Sequence, residues 1–310
     1  MNPTAFITGG NGNLGSLLAD ALLARGTAVV RFDLAGSTRS QARKDEVIVE
    51  GDIRDRQQLK DLLREHQPHC VYHLASLLSG SSEDDIEVAW DINVNASFDL
   101  LNLAVDLAVP RFFFASTAAT YGHVDAEPAP NDYAQWPSNM YGVCKVAVER
   151  LGVYLKLKHG LDFRCLRYPM VFSPFAPPSA VTAYPARAFR AAIERESFTF
   201  PVSPDTGVST LFLEDVINSM LQYVDHPSDT LTQHVYNVHA FYVTAAMLAE
   251  TIKVHCPNFE YDFEPLPVVD QLISGWPNEF DDSDARRDWN WTPQFDLARA
   301  AQRMFELMND

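Results

Sequence analysis

Short runs of β-branched and aromatic residues alternate with helical patterns through the first half of the chain. Thr4 to Thr8, Ala28 to Asp33, Val47 to Glu50, Val71 to Leu74 and Arg111 to Ala115 read as strands. Helical patterns at Leu14 to Arg25 and Arg56 to His66 fall between them. This alternation is the signature of βαβ units, so the fold class is α/β with a doubly wound parallel sheet. Ser209 to Tyr223 reads as strand then helix, and Val235 to Val238 as a further strand.

The texture changes after about Pro169, where prolines crowd positions 169 to 185. The expected organisation is a main domain over 1–169, to which 209–238 returns, and a smaller C-terminal α/β region built from 170–208 and 239–310. Two helices, Ile86 to Ala108 and Tyr141 to Lys158, are apolar around more than half their circumference. Such a helix must be covered on most sides, either in a large core or against a second copy of the chain. The expectation is a homodimer through 86–108 and 141–158.

Length and charge narrow the partners. The 310 residues suffice for a full core, and 47% hydrophobic with 21% charged residues is ordinary for a globular protein. A formal charge of −17 argues against DNA or RNA, whose binding needs a clustered positive field. Cys70, Cys144, Cys165 and Cys256 are scattered without metal-ligand spacing and read as free thiols, and no clustering of His, Cys and acids calls for a metal. The first strand begins too early to leave room for a signal segment, and the apolar stretch Leu100 to Phe114 is broken by Asp106, Pro110 and Arg111. No membrane partner is expected, and the expected location is cytoplasmic.

Directly after the first strand, Thr8-Gly9-Gly10-Asn11-Gly12-Asn13-Leu14-Gly15 spaces Gly9, Gly12 and Gly15 three apart at the opening of a helix. Glycines there permit a tight turn and close backbone approach to a pyrophosphate, which the helix dipole and free N–H groups attract. Asp33 ends the second strand, where a carboxylate accepts hydrogen bonds from ribose hydroxyls and repels a 2′-phosphate, favouring NAD over NADP. Asp52, before Ile53 and past the third strand, is placed either to cap the adenine amine or to cap a helix. The sheet is therefore expected to be of the Rossmann type.

Tyr141 and Lys145 lie four apart at a helix start and share a face. An ammonium beside a phenol is expected to lower its pKa and make it a usable base. Ser116 and Thr117 follow the strand Arg111 to Ala115 at its carboxyl end, where open α/β sheets bind ligands. A hydroxyl there can hold a substrate oxygen while Tyr141 removes its proton and hydride leaves for nicotinamide. Asn95 is placed either to bridge a water to this site or to serve in capping or packing, and His73 reads as a buried strand residue.

Taken in order, Gly9 to Gly15, Asp52-Ile53, His73-Leu74-Ala75, Ser116-Thr117 with Tyr121-Gly122, Tyr141 with Lys145, and Arg167-Tyr168-Pro169 resemble the extended short-chain dehydrogenase/reductase superfamily over essentially the whole chain. The resemblance selects Thr117 over Ser116 and implies catalysis by Thr117, Tyr141 and Lys145. It also implies NAD contacts from Gly9, Gly12, Asn13, Leu14, Gly15, Asp33, Asp52, Ile53, Leu74, Ala75, Ser76, Tyr141, Lys145 and Tyr168.

Within that superfamily, Ser76-Leu77-Leu78-Ser79, Ala89-Trp90-Asp91, Ser203-Pro204-Asp205-Thr206, Tyr236-Asn237-Val238, Trp276-Pro277 and Arg287-Asp288-Trp289-Asn290-Trp291 resemble the short-chain type of L-threonine 3-dehydrogenases. This implies NAD-dependent oxidation of a small hydroxy acid, with the 3-hydroxyl of L-threonine going to 2-amino-3-oxobutanoate, and Ser79, Thr117, Tyr141, Thr182 and Trp276 around the substrate. Two departures bear on the substrate. The stretch Ser179 to Tyr184 lacks the aspartate those enzymes carry there, and Met170 replaces a glycine, narrowing the pocket. Rival readings are a nucleotide-sugar epimerase or dehydratase with tightly bound NAD, and a catalytically idle NAD-binding regulator.

Overall fold

The computed structural model describes residues 3–37, 41–177 and 180–309. The first strands are β1 (Thr4–Thr8), β2 (Ala28–Asp33), β3 (Glu46–Glu50), β4 (Cys70–His73), β5 (Arg111–Thr117) and β6 (Asp162–Tyr168). Later come β7 (Met170–Phe172), β8 (Phe198–Phe200), β9 (Gly207–Phe212), β10 (Tyr236–Asn237), β11 (Phe241–Thr244) and β12 (Tyr261–Phe263). Helices of the first half are α1 (Asn13–Ala24), α2 (Arg56–His66), α3 (Ser79–Asp84), α4 (Ile86–Trp90), α5 (Ala96–Asp106) and α6 (Met140–His159). Those of the second half are α7 (Tyr184–Glu194), α8 (Leu213–Asp225), α9 (Ala245–His255), α10 (Pro267–Ser274), α11 (Ser283–Trp289) and α12 (Leu297–Asn309).

Among the described residues, a seven-stranded parallel sheet runs β10-β6-β5-β4-β1-β2-β3. The chain order reverses between β1 and β4, the switch point of a doubly wound sheet and the place where such sheets bind ligands. Both faces are buried, which is why the strands read as unbroken apolar runs. Phe112 and Phe114 pack into the layer holding α2, α5 and α6, while Phe113 between them packs into the opposite layer with α1 and α8. Phe6 faces the first layer, and Ala5 and Ile7 the second.

A second core lies around the sheet β11-β9-β7 and the pair β12-β8. Phe172, Phe189, Phe200, Phe212, Leu248 and Met304 fill it. Ser209 onward does not simply rejoin the main sheet: β9 pairs with β7 and β11, and the return is made by α8 and β10. Ala285, Trp289 and Trp291, in the range assigned to the smaller region, pack into the core under the main sheet. The pattern Ile86 to Ala108 forms α4 and α5 joined through a π-helical turn at Asp91–Asn95. β5 is two residues longer than its apolar run, because its pairing with β6 continues through Ser116↔Arg167 and Thr117↔Tyr168.

Candidate active site

A cavity of about 550 Å³ opens along the carboxyl ends of the central strands. All the residues assigned to cofactor, substrate and catalysis from the sequence line it. Gly9, Gly12, Asn13, Leu14 and Gly15 come from the β1–α1 turn, Asp33 from the end of β2, and Asp52 and Ile53 from beyond β3. Leu74, Ala75, Ser76 and Ser79 follow β4, and Thr117 and Tyr168 end β5 and β6. Tyr141 and Lys145 come from α6, and Thr182 and Trp276 close the far side. Ser179 lies outside the described residues.

Sterics explain the glycine turn. Gly9 has φ +70°, and a Cβ there would stand 2.7 Å from the Ala75 nitrogen. A Cβ on Gly15 would run into the Gly9 carbonyl oxygen. The backbone of the turn can therefore approach a ligand only without side chains. Asp33 is held facing this turn, accepting from the Asn11 backbone N–H at 2.7 Å and from that of Leu34 at 2.8 Å.

Asp52 lines the cavity, and of the two roles expected for it the helix cap falls to another residue. Its carboxylate is taken by Arg54, whose guanidinium donates at 2.6 to 3.2 Å and, by that hydrogen bond, holds the acid below its usual range. The cap of α2 is Asp55, which accepts from the Gln58 backbone N–H. Arg54 was not singled out in the sequence because nothing there announces its reach back to Asp52.

The inner end of the cavity is built by α6. Asn139 caps this helix by accepting from the Gly142 N–H at 2.7 Å, so Tyr141 falls in the first turn and Lys145 one turn on. Lys145 is buried, with Nζ donating to the Ala115 carbonyl at 2.9 Å and lying 4.6 Å from the Phe114 ring centre. Nζ is 5.3 Å from the centre of the Tyr141 ring. The acidification of Tyr141 expected from Lys145 is opposed by burial. Burial disfavours the charged form of both groups, pushing the phenol above its ordinary value and the ammonium down to about 8.

Thr117 Oγ1 accepts from the Ala119 N–H, which leaves its own proton free to donate into the cavity. Ser116 instead donates to Glu149, a buried carboxylate paired with Arg167. The Tyr168 hydroxyl is engaged with Ser219 on α8, so this residue offers its ring and backbone to the cavity. Trp276 lines the wall with a buried indole N–H that has no partner among the described residues.

Comparison with known proteins places this arrangement. The model of the NAD-dependent epimerase/dehydratase family matches residues 5–238. The chain belongs to that family. It is 32% identical to a mitochondrial L-threonine 3-dehydrogenase of Sus scrofa, over 98% of this chain and 82% of that protein. The crystal structure of an L-threonine dehydrogenase from Phytophthora infestans is 30% identical over 99% of both chains, with a TM-score of 0.92. A monomeric L-threonine 3-dehydrogenase from a metagenome is 27% identical over 98% of both, with a TM-score of 0.91.

The family's dinucleotide fits the residues present. The turn that excludes Cβ atoms suits the pyrophosphate, and Asp33 at the end of β2 suits the unphosphorylated ribose of NAD. One further part of the site is not marked in the sequence. Asn93, in the π-helical turn, accepts from the Leu77 N–H at 2.8 Å and donates to the Leu77 carbonyl at 3.1 Å, fixing the loop that carries Ser76 and Ser79. Asn95, the residue singled out instead, is exposed and bonded to Asp91. The wide π turn shifts the phase of side chains along the helix, turning Asn93 inward and leaving Asn95, two residues on, outside.

Proposed function

We propose that this family member is an NAD-dependent dehydrogenase that oxidises the hydroxyl of a small hydroxy acid, with the 3-hydroxyl of L-threonine as its reference substrate. The carrying observation is that Thr117, Tyr141 and Lys145 share one cavity with the glycine turn and Asp33. Bound NAD supplies the hydride acceptor. Thr117 donates its hydroxyl proton to the substrate oxygen and orients it. Tyr141 Oη, having first released its own proton to solvent, receives the substrate's hydroxyl proton as a phenolate. Lys145, anchored by the Ala115 carbonyl, supplies positive charge beside the phenol while it remains protonated, below about pH 8. The names of the relatives reported above support threonine.

At the substrate end, Ser79 and Thr182 bring two hydroxyl-bearing side chains and Trp276 an aromatic wall. The acids on the described lining, Asp33 and Asp52, both belong to the cofactor end. Met170, 3% exposed, closes the wall where glycine would leave space. The ammonium of threonine would therefore meet hydroxyls rather than a carboxylate, a weak arrangement for a desolvated cation. Short 3-hydroxy acids without the ammonium are expected to be turned over as well.

Reading NADH absorbance with L-threonine, its stereoisomers, 3-hydroxybutyrate, aldonates and nucleotide sugars tests the reaction class. NADH accumulating with a hydroxy acid supports it, while interconversion of a nucleotide sugar without net NADH would overturn it. Tyr141→Phe is expected to lower kcat at least about 1,000-fold with NADH still bound.

The same reading includes assembly. Trp90 and Phe98 on the α4–α5 helix and Val143, Tyr154 and Leu157 on α6 are exposed apolar side chains on two helices that pack together. They support a homodimer through this face. No helix among the described residues is long and apolar enough to cross a membrane. The four free cysteines support a reducing compartment such as the cytoplasm.

A further inference from the structure

Three residues of the catalytic corner each have a neighbour that belongs to one buried polar network. Ser116 precedes Thr117 at the end of β5, Arg167 precedes Tyr168 at the end of β6, and Glu149 lies one turn beyond Lys145 on α6. Glu149 is fully buried and Arg167 is 4% exposed. The Glu149 carboxylate accepts from Ser116 Oγ, from Arg167 Nε at 3.0 Å and Nη2 at 2.8 Å, and from Gln135 Nε2 at 3.1 Å. The other edge of the guanidinium donates to the Tyr121 hydroxyl and the Asn131 carbonyl, both at 2.7 Å. Tyr121 in turn donates to Asn237 on β10.

We propose that Glu149 and Arg167, joined through Ser116, are positioning residues for the dehydrogenase reaction, locking α6, β5 and β6 in the one arrangement that brings Thr117, Tyr141, Lys145 and Tyr168 together. The proposal rests on the activity inferred above. Its first ground is that α6 carries apolar residues around most of its circumference, so hydrophobic burial alone specifies its rotation weakly. A charge-assisted two-point bond, by contrast, has one geometry. Its second ground is energetic. A buried ion pair is no better for stability than well-packed apolar residues, and its known use is to select one arrangement among several. Its third ground is where the network ends. The carboxylate takes a proton donor from β5 and from β6, the strands whose last residues face the cavity, and the helix that carries it also carries Tyr141 and Lys145.

The test separates positioning from stability. The double variant Glu149→Leu with Arg167→Met replaces the pair by apolar side chains, and Ser116→Ala removes one donor with little change of volume. Thermal midpoint, NADH affinity by fluorescence, and kcat and KM on the hydroxy acid used by the wild type are measured on the full chain. We expect the double variant to keep its midpoint within a few degrees and its NADH Kd within about 3-fold, and to lose at least about 10-fold in kcat. A stable double variant with wild-type kcat overturns the proposal. Should the double variant not fold, Ser116→Ala decides: several-fold loss of kcat at an unchanged midpoint supports positioning, and unchanged kcat overturns it. A crystal structure of whichever variant folds gives a readout without turnover. Loss of the 2.9 Å contact between Lys145 Nζ and the Ala115 carbonyl is expected, and its retention overturns the proposal. Wild-type protein inert on every hydroxy acid would defeat the assigned activity instead, leaving that crystallographic distance to judge the positioning role.

Discussion

Asp33 acts through its charge and its fixed direction. Two backbone N–H groups aim the carboxylate at the turn after β1, so a 2′-phosphate would approach an anion that cannot swing away. Asp33→Ala is expected to reduce the ratio of NAD to NADP affinity at least about 10-fold, read by fluorescence titration with each reduced coenzyme. His73 illustrates the opposite economy, a titratable group kept neutral. It sits between Thr8 and Ser97, and burial, reinforced by the Lys145 charge, lowers it to about 3. The free imidazole titrates near 6.5, so the unfolded chain binds this proton first. The stability associated with neutral His73 is present above pH 6.5 and is lost as pH falls toward 3. His73→Gln is expected to flatten the decline of urea midpoints between pH 7 and pH 5, and an unchanged slope would contradict this. At this scale the sequence marked Tyr141 and Lys145 by type and spacing, while Ser116 and Thr117 were separated only by the family resemblance. The balance of their pKa values was invisible there, because desolvation depends on what surrounds each group.

The turn between β1 and α1 shows how an element is specified by what it excludes. Gly15 lies where a Cβ would strike the Gly9 carbonyl, so Gly15→Ala must push the helix start away from the turn. Weakening of NADH binding by at least about 10-fold is expected by titration, with the far-ultraviolet spectrum retained, since the core of α1 at Leu18, Ala19 and Leu22 is untouched. The parallel strands and the helix from Tyr141 onward were legible because buried strands and an apolar helix leave strong periodic signals. The length of β5 was not, since Ser116 and Thr117 are polar and their strand conformation comes from pairing with Arg167 and Tyr168. The π turn at Asp91–Asn95 was hidden for a related reason: it is a local widening inside an otherwise regular helical pattern.

For the whole molecule, the exposed apolar stripe on α6 makes assembly measurable. Light scattering is expected to give twice the chain mass of 34.7 kDa, and Leu157→Glu, placing a charge at a side chain now 70% exposed, is expected to give monomers. A wild-type monomer at all concentrations would refute the dimer. The amino-acid sequence alone determined the parallel sheet, the glycine turn after its first strand and the helix that carries Tyr141 and Lys145 on one face, since each is written in short spacings between neighbouring residues. Only the tertiary structure decided that β9 joins the smaller sheet, that Trp289 and Trp291 close the core beneath the larger one, that Arg54 takes Asp52, and that Glu149 and Arg167 lie under the catalytic corner. Those are contacts between residues far apart in the chain, selected by competing ways of burying surface and satisfying charge, and no local pattern encodes which partner wins.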